Sequence, residues 1–412
     1  MTGTTHPDVP AGITVHRWGA GNGDGMVIDV VTRGGSRVHG IGVEPPADAS
    51  RANGPTWAYV IEDDGVTLVD PGHLGSFGFL ADGLKVLGMK PSDVDRVVVT
   101  HGHWDHDGGV VEFAEASGAE FWAHELWRAY SPYSYGQLLR ADESPLRVEM
   151  TRIGERMRDA GPRRYGGSVS SKSNRTGEPG DSERKPGGSG RDNYDAVRSG
   201  MKVDHALVDG FKQGSMEYLH TPGHWPDELT IRLGDLIFTG DHILPEITPH
   251  PSMAYKHPAN LASTLPARYR DAGEVWGLRA YLNSLHRVYK LGRGLTVMPA
   301  HRLFNRDQFR MTDEGRAAET IAFHLERCDA LVKAIDGGHT DLEPATRELF
   351  SYRPLTDSYH LMSAASETIS HVELLEESGD MVVHDVEGAD GVRLELTGSR
   401  NYRDVIGALI PG

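Results

Sequence analysis

An α/β (α+β) fold followed by a small helical module is what this 412-residue sequence predicts, and three observations predict it. Runs of alternating apolar and polar residues between Gly, Asp and Pro turns read as antiparallel strands. Further on, strand-like runs alternate with helical segments, and several of these strands end in His and Asp residues. Past residue 312 the pattern changes to long helical periodicity and one strand pair. The length suits one large core of about 250–300 residues with a smaller module attached.

The meander is read from Thr14 to Val31 and from Thr56 to Val69, as in TWAYVIEDDGVTLVD. FLADGLKVLGM, residues 79–89, has helical spacing, and DRVVVTHGHWDHDGG reads as a short buried strand running into a loop, where α/β folds place chemistry. A helix-compatible stretch reaches about Arg158. The Gly, Ser, Pro and charge-rich residues 161–192 follow, too poor in apolar groups to offset the entropy of ordering them. They are read as a mobile insertion, a tether or a substrate-gating flap. Strands MEYLHTPGH, LTIRLGDLIFTGDH and LTVMPAHR and the helical SLHRVYKLG complete a domain of residues 1–312. Residues 313–412 form the second unit, with the helix GRAAETIAFHLERCDALVKAI and then a helix leading into a two-stranded wing.

One cysteine, Cys328, excludes an internal disulfide framework and any all-cysteine metal site, as a reducing cytoplasm leads one to expect. Its helical setting makes it packing rather than a reactive thiol. The first residues carry no basic and apolar leader, and no stretch reaches the ~20 apolar residues of a membrane span, so a cytoplasmic protein without membrane contact is expected. The net charge of −17 repels nucleic acid and anionic membranes. Residues 313–412 hold 20 acidic against 8 basic side chains, the wrong sign for phosphate contacts, so a lid or a homodimerisation role suits that module better.

The chemistry is carried by His101-Gly-His103-Trp-Asp105-His106-Asp-Gly-Gly. Four good ligands within six residues on a loop can turn alternate side chains toward two neighbouring ions, and imidazole with carboxylate suits Zn²⁺, Mn²⁺ or Fe. Three distant partners each end a strand or follow one: His224 in HTPGHWPDE, Asp241 in FTGDH and His301 in MPAHR.

From about Trp57 to Phe304 this pattern resembles the metallo-β-lactamase superfamily. The resemblance implies a four-layer αβ/βα sandwich with His101, His103 and His224 on one metal, Asp105, His106 and His301 on a second, and Asp241 bridging them. Asp70 would support the site from behind. A hydroxide shared by two divalent ions, Zn²⁺ first and Mn²⁺ or Fe as alternatives, would attack, with Asp105 and Asp241 as the catalytic carboxylates. GDHILPEITPHPS, the AHR turn and the tail together look like the lactamase-beta-2-like branch, whose tail is winged-helix-like. The insertion, the N-terminal extension and MPAHR in place of a Gly before the last His depart from that branch.

The expected substrate is a small acyl compound: an ester, thioester or lactone. A phosphodiesterase or nuclease, or an iron redox enzyme of dioxygenase type, remains open on the same ligand set. His250, Tyr255 and His257 in the loop after Asp241 are candidate substrate contacts, set against a Pro-ordered surface loop. His73, His124 and His242 are left out of the ligand set.

Overall fold

The structure, a computed structural model, describes residues 7–410 apart from 48, 134–136, 139–142, 160–189, 258, 356–357 and 386–390. The first sheet is built from β1 (Ile13–Arg17), β2 (Val27–Val31), β3 (Arg37–Val43), β4 (Thr56–Glu62), β5 (Val66–Val69), β6 (Arg96–Val98), β7 (Glu120–His124) and β8 (His205–Leu207), in that spatial order. Strands β1 to β5 form an antiparallel meander, and β5 to β8 pair in parallel. The crossovers β5–β6 and β6–β7 run through helices α1 (Phe77–Val86) and α2 (Val110–Ser117). Sequence patterning leaves β3 unassigned because two glycines dilute its alternation. One of them, Gly42, has no room for a side chain, since a Cβ there would lie 2.1 Å from the Gly23 carbonyl.

The second sheet runs β16-β13-β12-β11-β10-β9, with β9 (Phe211–Gln213), β10 (Met216–His220), β11 (Leu229–Leu233), β12 (Leu236–Gly240), β13 (Thr296–Pro299) and β16 (Thr312–Asp313); a two-stranded ribbon, β14 (Phe304–Asn305) with β15 (Gln308–Phe309), precedes β16. Strand alternation then builds the layers. Trp57, Tyr59 and Ile61 of β4 meet Tyr218, Ile231 and Phe238 between the sheets, whereas Ala58 and Val60 face outward onto Leu80, Leu84 and Phe113 of α1 and α2. On the far side, Ile237 and Val297 turn outward into an apolar cluster with the helices that follow. The layers are helix, sheet, sheet, helix, as the four-layer expectation requires.

The remaining helices are α3 (Trp127–Tyr130), α4 (Pro145–Asp159), α5 (Gly190–Gly200), α6 (Ala259–Ala262), α7 (Gly277–Tyr289), α8 (Gly315–Asp336), α9 (Leu342–Leu349), α10 (Ser358–Glu377) and α11 (Asn401–Gly407). The hairpin β17 (Met381–Asp385) with β18 (Val392–Leu396) follows α10. The C-terminal helices do not stand apart. Ile321, Leu331, Leu361 and Val372 share one buried cluster with Leu282 and Leu285 of α7 and Met150 and Ile153 of α4. Cys328 is fully buried there, and burial pushes its thiol well up, so it packs as a small apolar side chain. Of the stretch read as an insertion, residues 161–189 lie outside the described residues and the last three open α5. No helix among the described residues is long and apolar enough to cross a membrane.

Candidate metal centre

Strand direction decides where the ligands meet. β10, β12 and β13 all run the same way, and His224, Asp241 and His301 follow their C-terminal ends. The loop after β6 brings His101 to His106 to the same edge, tied to the second sheet where Leu229 N–H donates to the Thr100 carbonyl at 2.8 Å. Gly108 lets that loop close, since a Cβ there would stand 2.3 Å from the Trp104 carbonyl.

Three overlapping ligand groups result: His101, His103 and His224; His101, His106 and Asp241; and Asp105, His106 and His301. His103 Nδ1 lies 2.8 Å from His101 Nε2 and 3.2 Å from His224 Nε2. His301 Nε2 lies 3.3 Å from Asp105 Oδ2 and 3.5 Å from Asp241 Oδ1, and the other Asp241 oxygen is 3.7 Å from His224 Nε2. Asp241 thus reaches toward both halves.

The outer nitrogens of the ligands are fixed by the protein. His106 Nδ1 donates to Asp70 at 2.9 Å, His301 Nδ1 to the Pro55 carbonyl at 2.9 Å, and His224 Nδ1 to the His250 carbonyl at 2.7 Å. Asp70, at φ +55°, also accepts from the Thr100 N–H and hydroxyl, so a buried carboxylate ties the loop to the end of β5. With Nδ1 committed outward, each Nε2 faces inward, the arrangement metal-bound histidines use.

Those inward atoms test whether a metal fits. His106 Nε2, His301 Nε2 and Asp241 Oδ1 are buried with no hydrogen-bond partner, a condition that costs free energy in any folded protein unless something satisfies it. Burial and the neighbouring imidazoles hold His101 and His103 well below the ordinary histidine range, so both are neutral, the form in which an imidazole can bind a metal. Against the desolvation that would raise them, His301 and His106 hold Asp241 and Asp105 below the ordinary carboxylate range. The same carboxylates push His106 and His301 up in turn, so a proton is favoured on each in the absence of metal, and a divalent ion would take its place.

With this geometry in place, the comparisons with known proteins bear on the same residues. The family model of the metallo-beta-lactamase superfamily matches residues 51–268, over half of the chain and six of the seven candidate ligand residues. The chain belongs to the metallo-beta-lactamase superfamily. Members of this superfamily are generally metal-dependent hydrolases or related enzymes. Metallo-beta-lactamase domain-containing protein 1 of Mus musculus is 38% identical over 94 residues, 23% of this chain; the match spans about a third (35%) of the mouse protein's length. Among solved structures, a metallo-beta-lactamase family protein from Thermus thermophilus superposes with TM-score 0.55 at 20% identity, covering 87% of this chain and 98% of that one. A beta-lactamase domain protein from Burkholderia ambifaria does so with TM-score 0.60 at 17% identity, covering 95% and 96%. These likenesses are of fold, and the second extends over the C-terminal helices.

Within this metallo-beta-lactamase fold the three residues read as substrate contacts take other places. The side chain of His250 turns to α10, its Nε2 donating to the Ser363 carbonyl at 3.0 Å, and only its own carbonyl faces the site. Tyr255 is buried in the apolar cluster against Trp276. His257 spends Nδ1 on the Tyr130 hydroxyl at 3.0 Å and Nε2 on the Tyr269 carbonyl at 2.8 Å. His73 packs edge-on to Trp104, His124 stacks on His220, and His242 is buried beside Tyr281.

Sequence reasoning missed two supports. Glu228, fully buried, accepts from Asp241 N–H at 3.0 Å and lies 3.6 Å from His101; burial and then the Asp241 charge push its carboxyl well up. Asp107 accepts from Trp127 Nε1 at 3.0 Å, Tyr194 hydroxyl at 2.5 Å and Arg198 Nε at 3.1 Å, so α3 and α5 clasp the ligand loop. Asp107 follows the motif directly and was visible as a carboxylate; nothing in the spacing announced its cation.

Proposed function

We propose that this protein hydrolyses a small acyl compound, an ester, thioester or lactone, at a pair of divalent ions, zinc in the first instance. The single observation that carries the reading is the meeting of three overlapping His and Asp groups around Asp241, whose buried Oδ1 lies, without a hydrogen-bond partner, beside the equally partnerless Nε2 atoms of His106 and His301. His101, His103 and His224 would hold one ion, Asp105, His106 and His301 the other, and Asp241 both. When bound, such ions supply Lewis-acid polarisation of the substrate oxygen and an acidified water.

The chain's own groups do the rest. Asp105, whose Oδ2 lies 3.3 Å from His301 Nε2, would take a proton from the attacking water and pass it to the leaving group. Trp104, 41% exposed between ligands His103 and Asp105, offers an apolar face at the mouth for an acyl group. The net charge of −17 disfavours a polyanionic substrate.

Metal content by mass spectrometry, paired with hydrolysis of a thioester, a lactone and a phosphodiester, tests the reading. About two zinc ions per chain with acyl hydrolysis is the expected result. Turnover of the phosphodiester alone, or iron with oxygen consumption, would replace it. Asp241→Ala should lose metal and turnover together, and full activity in that variant would sink the dinuclear reading.

A further inference from the structure

The three outward hydrogen bonds of the ligand histidines end on acceptors of unequal firmness. Asp70 sits at the end of β5 and Pro55 at the start of β4. The His250 carbonyl, which holds His224, lies in residues 241–257, a run with neither helix nor strand. A carbonyl in such a loop can aim a ligand only if the loop is itself held.

α7 and α8 hold it at His242, Leu244, Ile247 and Ser252, and α10 holds it at His250 and Ala254. The Ser363 carbonyl accepts from His250 Nε2 at 3.0 Å, and Glu373 Oε2 accepts from Ala254 N–H at 2.7 Å. Arg147 of α4 closes the same corner by donating to the Ala254 carbonyl at 2.7 Å and to Glu373. Between these anchors, Ser252 donates both N–H and hydroxyl to the Gly223 carbonyl at 2.7 Å, one residue before His224. Contacts spaced over residues 250 to 254 thus carry the position of α10 to the ligand.

We propose that the C-terminal helix α10 is part of the metal centre's support and that His250 is the positioning residue that couples it to His224. The role rests on the metal-binding reading above and is confined to the half built by His101, His103 and His224. Asp105, His106 and His301 take their orientation from Asp70 and Pro55 and do not depend on α10.

The test is zinc affinity, titrated against a competing chelator, in the full-length protein. His250→Phe keeps the bulk and removes the donor to Ser363. It should weaken one of two zinc ions about tenfold to a hundredfold, the usual effect of losing a group that orients a ligand, and leave the other unchanged. His250→Gln, whose amide can still donate, should recover most of that loss, and the shorter His250→Asn should not. Arg279→Ala breaks an ion pair to Glu377 on the same helix without touching residues 250–254, and should leave both affinities intact. Thermal unfolding of each variant reports the fold independently. Wild-type affinity for both ions in His250→Phe and His250→Asn, or equal weakening of both ions, would overturn the proposal. If the wild type binds a single ion, the dinuclear reading fails; this one then stands if His250→Phe weakens that ion and falls if it does not.

Discussion

Arg198 should be among the costlier side chains to remove outside the ligand set. It lies 5% exposed against a fully buried Asp107, Nε to Oδ2 at 3.1 Å, with its guanidinium 5.4 Å from the Trp127 ring centre. Arg198→Met keeps the length and removes the charge. Asp107 is then left buried with only the Trp127 and Tyr194 donors. Stranding one member of a buried pair costs about 3–5 kcal/mol, and the whole of that would fall on the loop that carries His101 to His106. Burial already pushes the Asp107 carboxyl up despite Arg198, and losing the cation pushes it further. A carboxyl raised in the folded state contributes stability below its unfolded value of about 4 that is lost as pH rises through the folded one, so the penalty should be smallest in acid and grow as pH rises above about 4. Urea unfolding of chelator-treated protein measures this without metal linkage. Asp107→Asn combined with Arg198→Met should cost less than the two single changes added together. A single-variant cost below about 1 kcal/mol, or strict additivity, would refute the reasoning.

Three further outcomes follow from the same structure. Asp70→Asn replaces an acceptor of three bonds with an amide that faces donors, and should weaken the Asp105, His106 and His301 half about tenfold to a hundredfold in zinc titration; unchanged affinity would contradict the role given to Asp70. Gly223→Ala, at φ +130° with its new Cβ only 2.2 Å from the Tyr281 Cα, should cost more than about 2 kcal/mol in urea unfolding, and wild-type stability would show that the backbone there yields. Burial holds the His371 imidazole at about 4, against about 6.5 in an unfolded chain. A depressed folded value means stability present above about pH 6.5 and lost as pH falls toward 4, up to about 3 kcal/mol for this group. His371→Gln should flatten that part of the pH–stability curve, and an unaltered slope would remove His371 from its cause.

The residues that gather at the candidate centre were legible because metal chemistry restricts residue type and the strand ends restrict place; His101-x-His103-x-Asp105-His106 says both in six letters. The layers were legible for the same kind of reason, since alternation in TWAYVIE states which side chains face which sheet. What escaped has no such signature. The Pro55 and His250 carbonyls are backbone groups, identical in every sequence, so no pattern of side chains could single them out. Tyr255 and His257 drew attention as polar groups in the loop after Asp241, yet the loop folds against α7 and the aromatic cluster and buries what a flat reading left exposed. Glu228 reads as a turn residue in HWPDELT. Its burial follows from the packing of β11 beside the loop after β6, a contact across more than 120 residues.

The supports also differ in how many contacts separate them from a sheet, and this sets an order of failure. Asp70 and Pro55 sit at strand ends, so their hydrogen bonds to His106 and His301 persist until the first sheet itself opens. Glu228 is anchored where β11 begins, beside the loop it supports. His224 hangs from a carbonyl in an irregular loop that is held in turn by Ser363 and Glu373 on α10, and α10 is itself held by side-chain packing with α7, α8 and α4. Local opening begins in irregular segments rather than in sheets and packed helices, which makes the loop of residues 241–257 the weak link in this chain of supports. On the proposed reading the half-site of His224 is therefore the first to loosen, and an ion there would sense the C-terminal helices while its neighbour would sense the first sheet. Two ions sharing one carboxylate would thus report on opposite ends of the chain, and the tail would bear on the chemistry although none of the candidate ligands lies in it.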